Sequence, residues 1–245
     1  MKTSTKLLLV GVLILVVSLA TYNVALRAEY NRGEFRNPYR DYSALTLRDF
    51  DEVELAPGSR LTVKIEAGPF AVRQHNQADS VQIVQTGHRL RIIDLAKRRN
   101  ERSHWTPNLV VVSCPRLATL LVNSSAAGVA QAPPATPLNP DMPSAAVQVK
   151  GFRQDSLLVA ADQNASVELA QNQLGQLRVL AGATPGSTAE VHVTKSNTIS
   201  AARLDFRHRS AFVLDAFTIP DLRYQFSDST HATLPASALQ TLARH

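Results

Sequence analysis

The sequence predicts an all-β protein, a parallel β-helix-like β-solenoid body preceded by a single apolar N-terminal helix. Three observations carry the prediction. Apolar and polar residues alternate at period two from Phe50 onward, short strand pairs recur through the second half, and one long uncharged apolar run stands at the N-terminus.

That run comes first. Lys2 and Lys6 precede residues 7–26, whose polar members are Ser18, Thr21, Tyr22 and Asn23. At about 1.5 Å per residue, a helix over this stretch spans roughly 30 Å, the thickness of a bilayer hydrocarbon core. Residues 1–26 therefore read as a single-pass membrane anchor. The alternative is a cleaved signal, with small residues at Ser18-Leu19-Ala20 and a secreted product. Arg27, Arg32, Arg36 and Arg40 follow the run, so the positive-inside rule taken alone favours a cytoplasmic body. A short lysine-bearing tail before an apolar run is how exported chains begin, and the body is expected in the periplasm or at the cell surface. Residues 27–49, with Tyr30, Phe35, Tyr39 and Tyr42 among charges, read as a juxtamembrane linker.

From Phe50 the chain reads as strands. Val53-x-Leu55, Leu61-x-Val63-x-Ile65, Val81-x-Ile83 and Leu90-x-Ile92 place apolar side chains on one face of each. Pro57-Gly58, Gly68-Pro69 and Gly87 punctuate them as turns. Two interruptions follow. One is the basic stretch Lys97-Arg98-Arg99-Asn100-Glu101-Arg102. The other is the proline-rich stretch 131–143, whose prolines cannot donate to a ladder and which reads as an insertion within one domain, 50–245.

In the second half, Leu157–Val159 precedes Asn164–Leu169, and Leu177–Val179 precedes Ser187–Val193. Leu204–Phe206 then precedes Ser210–Leu214, and Leu222–Phe226 precedes Ser229–Leu234. The unit starts at 157, 177, 204 and 222 fit the coils of a solenoid with variable corners, each burying its apolar face against its neighbours. A meander sandwich offers similar strand spacing. The recurrence of small residues at Ala165, Ser166, Ser187 and Ala211 favours the solenoid.

Phe50-Asp-Glu-Val-Glu-Leu, Leu61-Thr-Val-Lys-Ile-Glu-Ala-Gly and Val111-x-x-Cys-Pro-x-Leu117-x-x-Leu120-x-Val122, followed by the repeats, resemble the head GIN domain family of putative auto-transporter adhesins. The resemblance implies a β-solenoid exported to a bacterial envelope, with no catalytic residues to carry over. The proline-rich insertion and the basic stretch depart from the family pattern.

The remaining chemistry is sparse. Hydrophobic residues make up 44% of 245 and the net charge is +6, a globular composition without the continuous basic stripe of a nucleic-acid binder. Cys114 is the single cysteine, so no intramolecular disulfide forms, and it reads as a buried strand residue rather than a nucleophile partnered by His104. Histidines 75, 88, 104, 192, 208, 231 and 245 show no metal-ligand spacing and read as surface residues. Asp162, Glu168 and Glu190 could stack as solenoid-lyase acids do, but read as solvated faces. No catalytic, cofactor-binding or metal residue is expected.

Lys97, Arg98, Arg99 and Arg102, beside His104 and Trp105, are the expected contact for an anionic lipid or glycan. The expected function is a non-enzymatic, membrane-anchored adhesin or surface scaffold. The alternatives are a glycan-active solenoid enzyme and a regulatory or sensory partner of another envelope protein. No cofactor and no nucleic acid is expected.

Overall fold

The computed structural model describes residues 3–33, 37–57, 61–76, 78, 80–95, 110–123, 145–236 and 238. The chain divides into two units, Met1–Tyr42 and Ser43–His245.

The first unit is a single helix, α1 (Thr3–Arg32). It runs six residues beyond the apolar stretch because Ala25, Leu26, Arg27, Ala28 and Glu29 are good helix formers. An Arg32–Glu29 ion pair at 3.5 Å supports the last turn, and Gly33 stops it at φ 69°. The segment Lys6–Arg32 is long and apolar enough to cross a membrane, and none of its most apolar window is buried within the protein. Soluble helices keep a polar face; this one has none over residues 7–20. A membrane anchor and a signal sequence share these properties.

The second unit is built of strands. Before the proline-rich stretch these are β1 (Tyr42–Leu45), β2 (Glu52–Leu55), β3 (Thr62–Ala67), β4 (Ala71–His75), β5 (Val81–Thr86), β6 (Arg89–Asp94), β7 (Val110–Cys114) and β8 (Thr119–Val122). After it come β9 (Ala145–Lys150), β10 (Arg153–Ala161), β11 (Ala165–Ala170), β12 (Gln173–Ala181), β13 (Glu190–Val193), β14 (Thr198–Phe206), β15 (Ala211–Leu214), β16 (Asp221–Phe226) and β17 (His231–Thr233). The first strand falls inside the stretch expected to be linker, with Leu45 and Leu47 packed against the core.

Two sheets result. Sheet 1 has the order β1-β4-β7-β3-β9-β11-β13-β15-β17 and sheet 2 the order β16-β14-β12-β10-β8-β2-β6-β5. From β9 onward the chain alternates between the sheets, and every new strand lies parallel beside the one before it in the same sheet. The inward residues of both sheets form one core cluster.

The sheets are mixed, which departs from the expected all-parallel winding. β4 runs antiparallel to β7, and β5 antiparallel to β6. The second exception has a local cause. Gly87 adopts φ 60° in the two-residue turn Gly87-His88, the positive φ that tight hairpins require.

Register corrects the repeat. Leu157, Leu177, Ala202 and Leu222 are successive partners across sheet 2, so the rungs rise by 20, 25 and 20 residues. Leu204 is instead the partner of Val179 and Tyr224. The reading from sequence was two residues out in the third rung. A shift of two keeps every side chain on its own face, so alternation alone cannot detect it.

The column of small residues is corrected as well. Ser166 and Ala211 are both partners of Glu190, whereas Ala165 pairs with Ala145 and Ser187 lies in a corner. Small residues buried on sheet 1 and its corners include Ala145, Ala165, Ser187, Ala189 and Ser210.

The nine-residue strands also bend. In β10, Asp155 and Ser156 are both exposed, and in β12 so are Gly175 and Gln176, so two successive residues face outward before alternation resumes.

Corners hold the rungs in phase. Asn172 is fully buried; its Oδ1 accepts from Phe152 N at 3.0 Å, and its Nδ2 donates to Val149 O at 3.1 Å. Asn197 repeats the role one rung on, accepting from Asn172 N at 2.9 Å and donating to Leu169 O at 2.6 Å. At the opposite corner Gly182 sits at φ 74°, and a Cβ there would lie 2.2 Å from Arg207 O. Only glycine fits that close approach.

Candidate functional site

The basic stretch singled out from sequence, Lys97, Arg98, Arg99 and Arg102 with His104 and Trp105, lies outside the described residues, as do the proline-rich stretch and His245. The other predicted positions can be placed.

Cys114 ends β7 and is 0% exposed. Burial, with a smaller contribution from the negative charge of Asp51, pushes its thiol up to about 12. A thiol held protonated this firmly is a poor nucleophile at neutral pH.

The three acids do not stack. Asp162 is buried at a corner, not solvated; its carboxylate accepts from Thr184 N at 3.0 Å, Thr184 Oγ1 at 2.5 Å and Gln163 N at 3.0 Å. It fastens one corner to the next. Glu168 and Glu190 do lie outward on sheet 1, but in different rows. Glu168 stands between Gln148 and His192, and Glu190 between Ser166 and Ala211.

Two of the histidines serve local structure. His88 Nδ1 lies 2.7 Å from Asp49 O, and His192 Nε2 lies 2.9 Å from Asp215 Oδ1. That contact, with donation from Lys195 N, holds the Asp215 carboxyl below its ordinary range. Among the described residues no three His, Cys, Asp or Glu side chains gather at metal-binding distance.

Sheet 2 presents what sequence reasoning missed. Arg178 on β12 pairs in register with Arg203 on β14, and Arg203 with Arg223 on β16. All three are exposed on the outer face. Adjacent strands lie about 4.8 Å apart, so the guanidinium groups follow the stacking direction as a straight row.

Across the same sheet the row changes character. Its continuation passes through Leu158 and Thr119 to Glu52 and Arg89, which form an ion pair at 3.0 Å. Glu54, buried at 7% exposure, lies 3.6 Å from Arg89 and 3.4 Å from Arg91. Charges at that end are neutralised.

At the other end two carboxylates are near. Asp205 is engaged by Arg207 at 2.7 Å, a pairing that raises the Arg207 guanidinium above its ordinary value, and Asp221 pairs with Arg223 at 3.2 Å. Among the described residues no ion pair joins Arg178 or Arg203 to a carboxylate.

A signal for this row existed in the sequence. The three rungs of the row each carry Arg between two apolar residues, as Leu177-Arg-Val179, Ala202-Arg-Leu204 and Leu222-Arg-Tyr224. Starting the third unit at Leu204 placed Asp205 where Arg203 belongs.

No family model matches this chain, and no curated protein matches it by sequence. A solved structure from Parabacteroides distasonis resembles it in fold. Named a putative adhesin, it aligns with a TM-score of 0.55 at 15% identity, over 78% of this chain and 71% of that one. A second, from the same organism and named a putative lipid binding protein, aligns at 10% identity with a TM-score of 0.37, over 79% of this chain and 94% of that one. The first likeness is one of fold. The head GIN resemblance continues to rest on sequence pattern.

Proposed function

We propose that this chain is a non-enzymatic envelope protein, held in the membrane by α1 and exposing a β-solenoid body as an adhesin or surface scaffold. The observation that carries the reading is the pairing of a helix apolar all round with a body of parallel rungs, the fold it shares with a putative adhesin. Stacked rungs bury apolar residues only against neighbouring rungs and leave broad outer faces free, which suits a scaffold. The hairpin β5–β6 and the antiparallel pair β4–β7 then belong to the first end of the solenoid, where winding begins.

The body is placed in the periplasm or at the cell surface, with anionic lipid, glycan or another envelope protein as its partner. Lys97, Arg98, Arg99 and Arg102 remain a proposed anionic contact.

Protease shaving of intact cells and spheroplasts expressing a C-terminally tagged chain tests the placement. Loss of the tag in intact cells or spheroplasts supports it; protection in both, with digestion only after lysis, overturns it. Mass measurement of the mature protein tests the anchor. An N-terminus at Met1 or Lys2 retains α1, whereas one at Thr21 replaces the anchor by a cleaved signal.

A further inference from the structure

We infer that the outer face of sheet 2 is a binding track for a linear acidic polysaccharide, with Arg178, Arg203 and Arg223 holding successive carboxylates along the stacking direction. Three arginines in adjacent register repel one another, and such an arrangement is relieved by an anion lying across them. Asp205 and Asp221, the carboxylates beside them, are taken up by Arg207 and Arg223. Arg178 and Arg203 are left facing solvent, and Arg223 shares its charge with one exposed partner.

Geometry favours a polymer over a compact anion. The row is straight, repeats at one strand spacing of about 4.8 Å, and lies on strands fixed in register by the corner asparagines. That spacing is close to one sugar residue of an extended chain. A guanidinium fork accepts a planar carboxylate through two parallel hydrogen bonds, which a lysine ammonium cannot reproduce.

The flanking rows favour sugar over nucleic acid. On one side stand Ser156, Gln176 and Ala201, and on the other Ala160, Leu180 and Asp205. Ser156 and Gln176 offer a hydroxyl and an amide to sugar hydroxyls. No aromatic side chain shares the outward face of β10, β12 or β14, so single-stranded nucleic acid finds no base-stacking platform there.

This proposal deepens the envelope reading by naming a ligand class. It is tested on purified protein, so it stands or falls separately from the topology experiment. The full chain, held in nanodiscs of zwitterionic phosphatidylcholine, is passed over immobilised polygalacturonate. Neutral dextran, a single-stranded oligonucleotide and phosphatidylserine vesicles are the comparison probes.

The expected result is salt-sensitive binding to polygalacturonate and none to dextran. R178Q/R203Q/R223Q should weaken it by about tenfold, the scale of three exposed ion pairs. Replacing all three by lysine should weaken it by an intermediate factor, and R203Q should be the most damaging single change because Arg203 is central.

Unchanged binding by the triple glutamine variant overturns the proposal. So does equal binding to dextran, or preference for the oligonucleotide or the anionic vesicles. Thermal melts confirm that each variant folds, and if the triple does not, R203Q and the dependence of wild-type binding on salt decide the matter.

Discussion

The two ends of the strand body are held together differently. From β9 to β17 the chain repeats one operation, and its corners are fastened by buried hydrogen bonds and close backbone packing: Asn172 on Asn197, Asp162 on Thr184, Gly182 beneath Arg207. From β2 to β8 the order is scrambled, two pairings are antiparallel, and the exposed side of sheet 2 is tied by Glu52 and Glu54 against Arg89 and Arg91. Regular winding relies on buried backbone bonds whose loss is severe. Irregular winding relies in part on exposed ion pairs whose loss is mild.

The sharpest way to test that contrast is Gly182→Ala. The added methyl meets backbone at 2.2 Å in a left-handed conformation, so strain and overpacking together should cost about 4 kcal/mol. Melting followed by circular dichroism should fall by roughly 8–16 °C for a body of this size. A melt within two degrees or so of the wild type would mean that the corner yields.

The second test sets one device against the other. Asn172→Ala removes partners from Phe152 N and Val149 O in a buried place, at a cost of about 2 kcal/mol. Arg89→Gln removes a part-exposed ion pair to Glu52 and one of the two arginine contacts to buried Glu54, and should cost about 1 kcal/mol, reduced in high salt. Equal losses would erase the distinction between the two ends.

The fold was legible where one face of a strand decides its fate. Val63, Ile65 and Leu90 announced their strands because their neighbours are polar. Order within the sheets was not legible. That β2 sits between β8 and β6, or that β3 sits between β7 and β9, depends on which edges meet after folding, and no local residue records it. The arginine row was hidden for a related reason. Its members stand at 178, 203 and 223 and become neighbours only through register. The anionic contact was instead sought in the one place where basic residues are adjacent in sequence.

The last expected effect concerns Cys114, at the irregular end, and is confined to alkaline pH. Its thiol pKa is raised in the folded protein, so the folded state keeps a proton that the unfolded chain gives up. The associated stability is complete below about pH 9 and is lost as pH rises toward about 12. Urea midpoints measured from pH 8 to 11 should therefore fall more for the wild type than for Cys114→Ala. Parallel curves would show that the thiol is less enclosed than its burial indicates.

The rungs that align Arg178, Arg203 and Arg223 also make the chain's valency a matter of counting. Duplicating one rung, as a segment of 20 residues in phase with β10 to β11 or β14 to β15, would lengthen the stack by one strand in each sheet without disturbing its neighbours' contacts. If the added rung carried the same apolar-Arg-apolar triplet, it would add one cation to the track. Affinity for a long polyanion would then climb with each copy through effective concentration, with no new kind of contact. Such a surface can be tuned by gene duplication in whole rungs, and homologues of different length would differ in grip before they differed in fold.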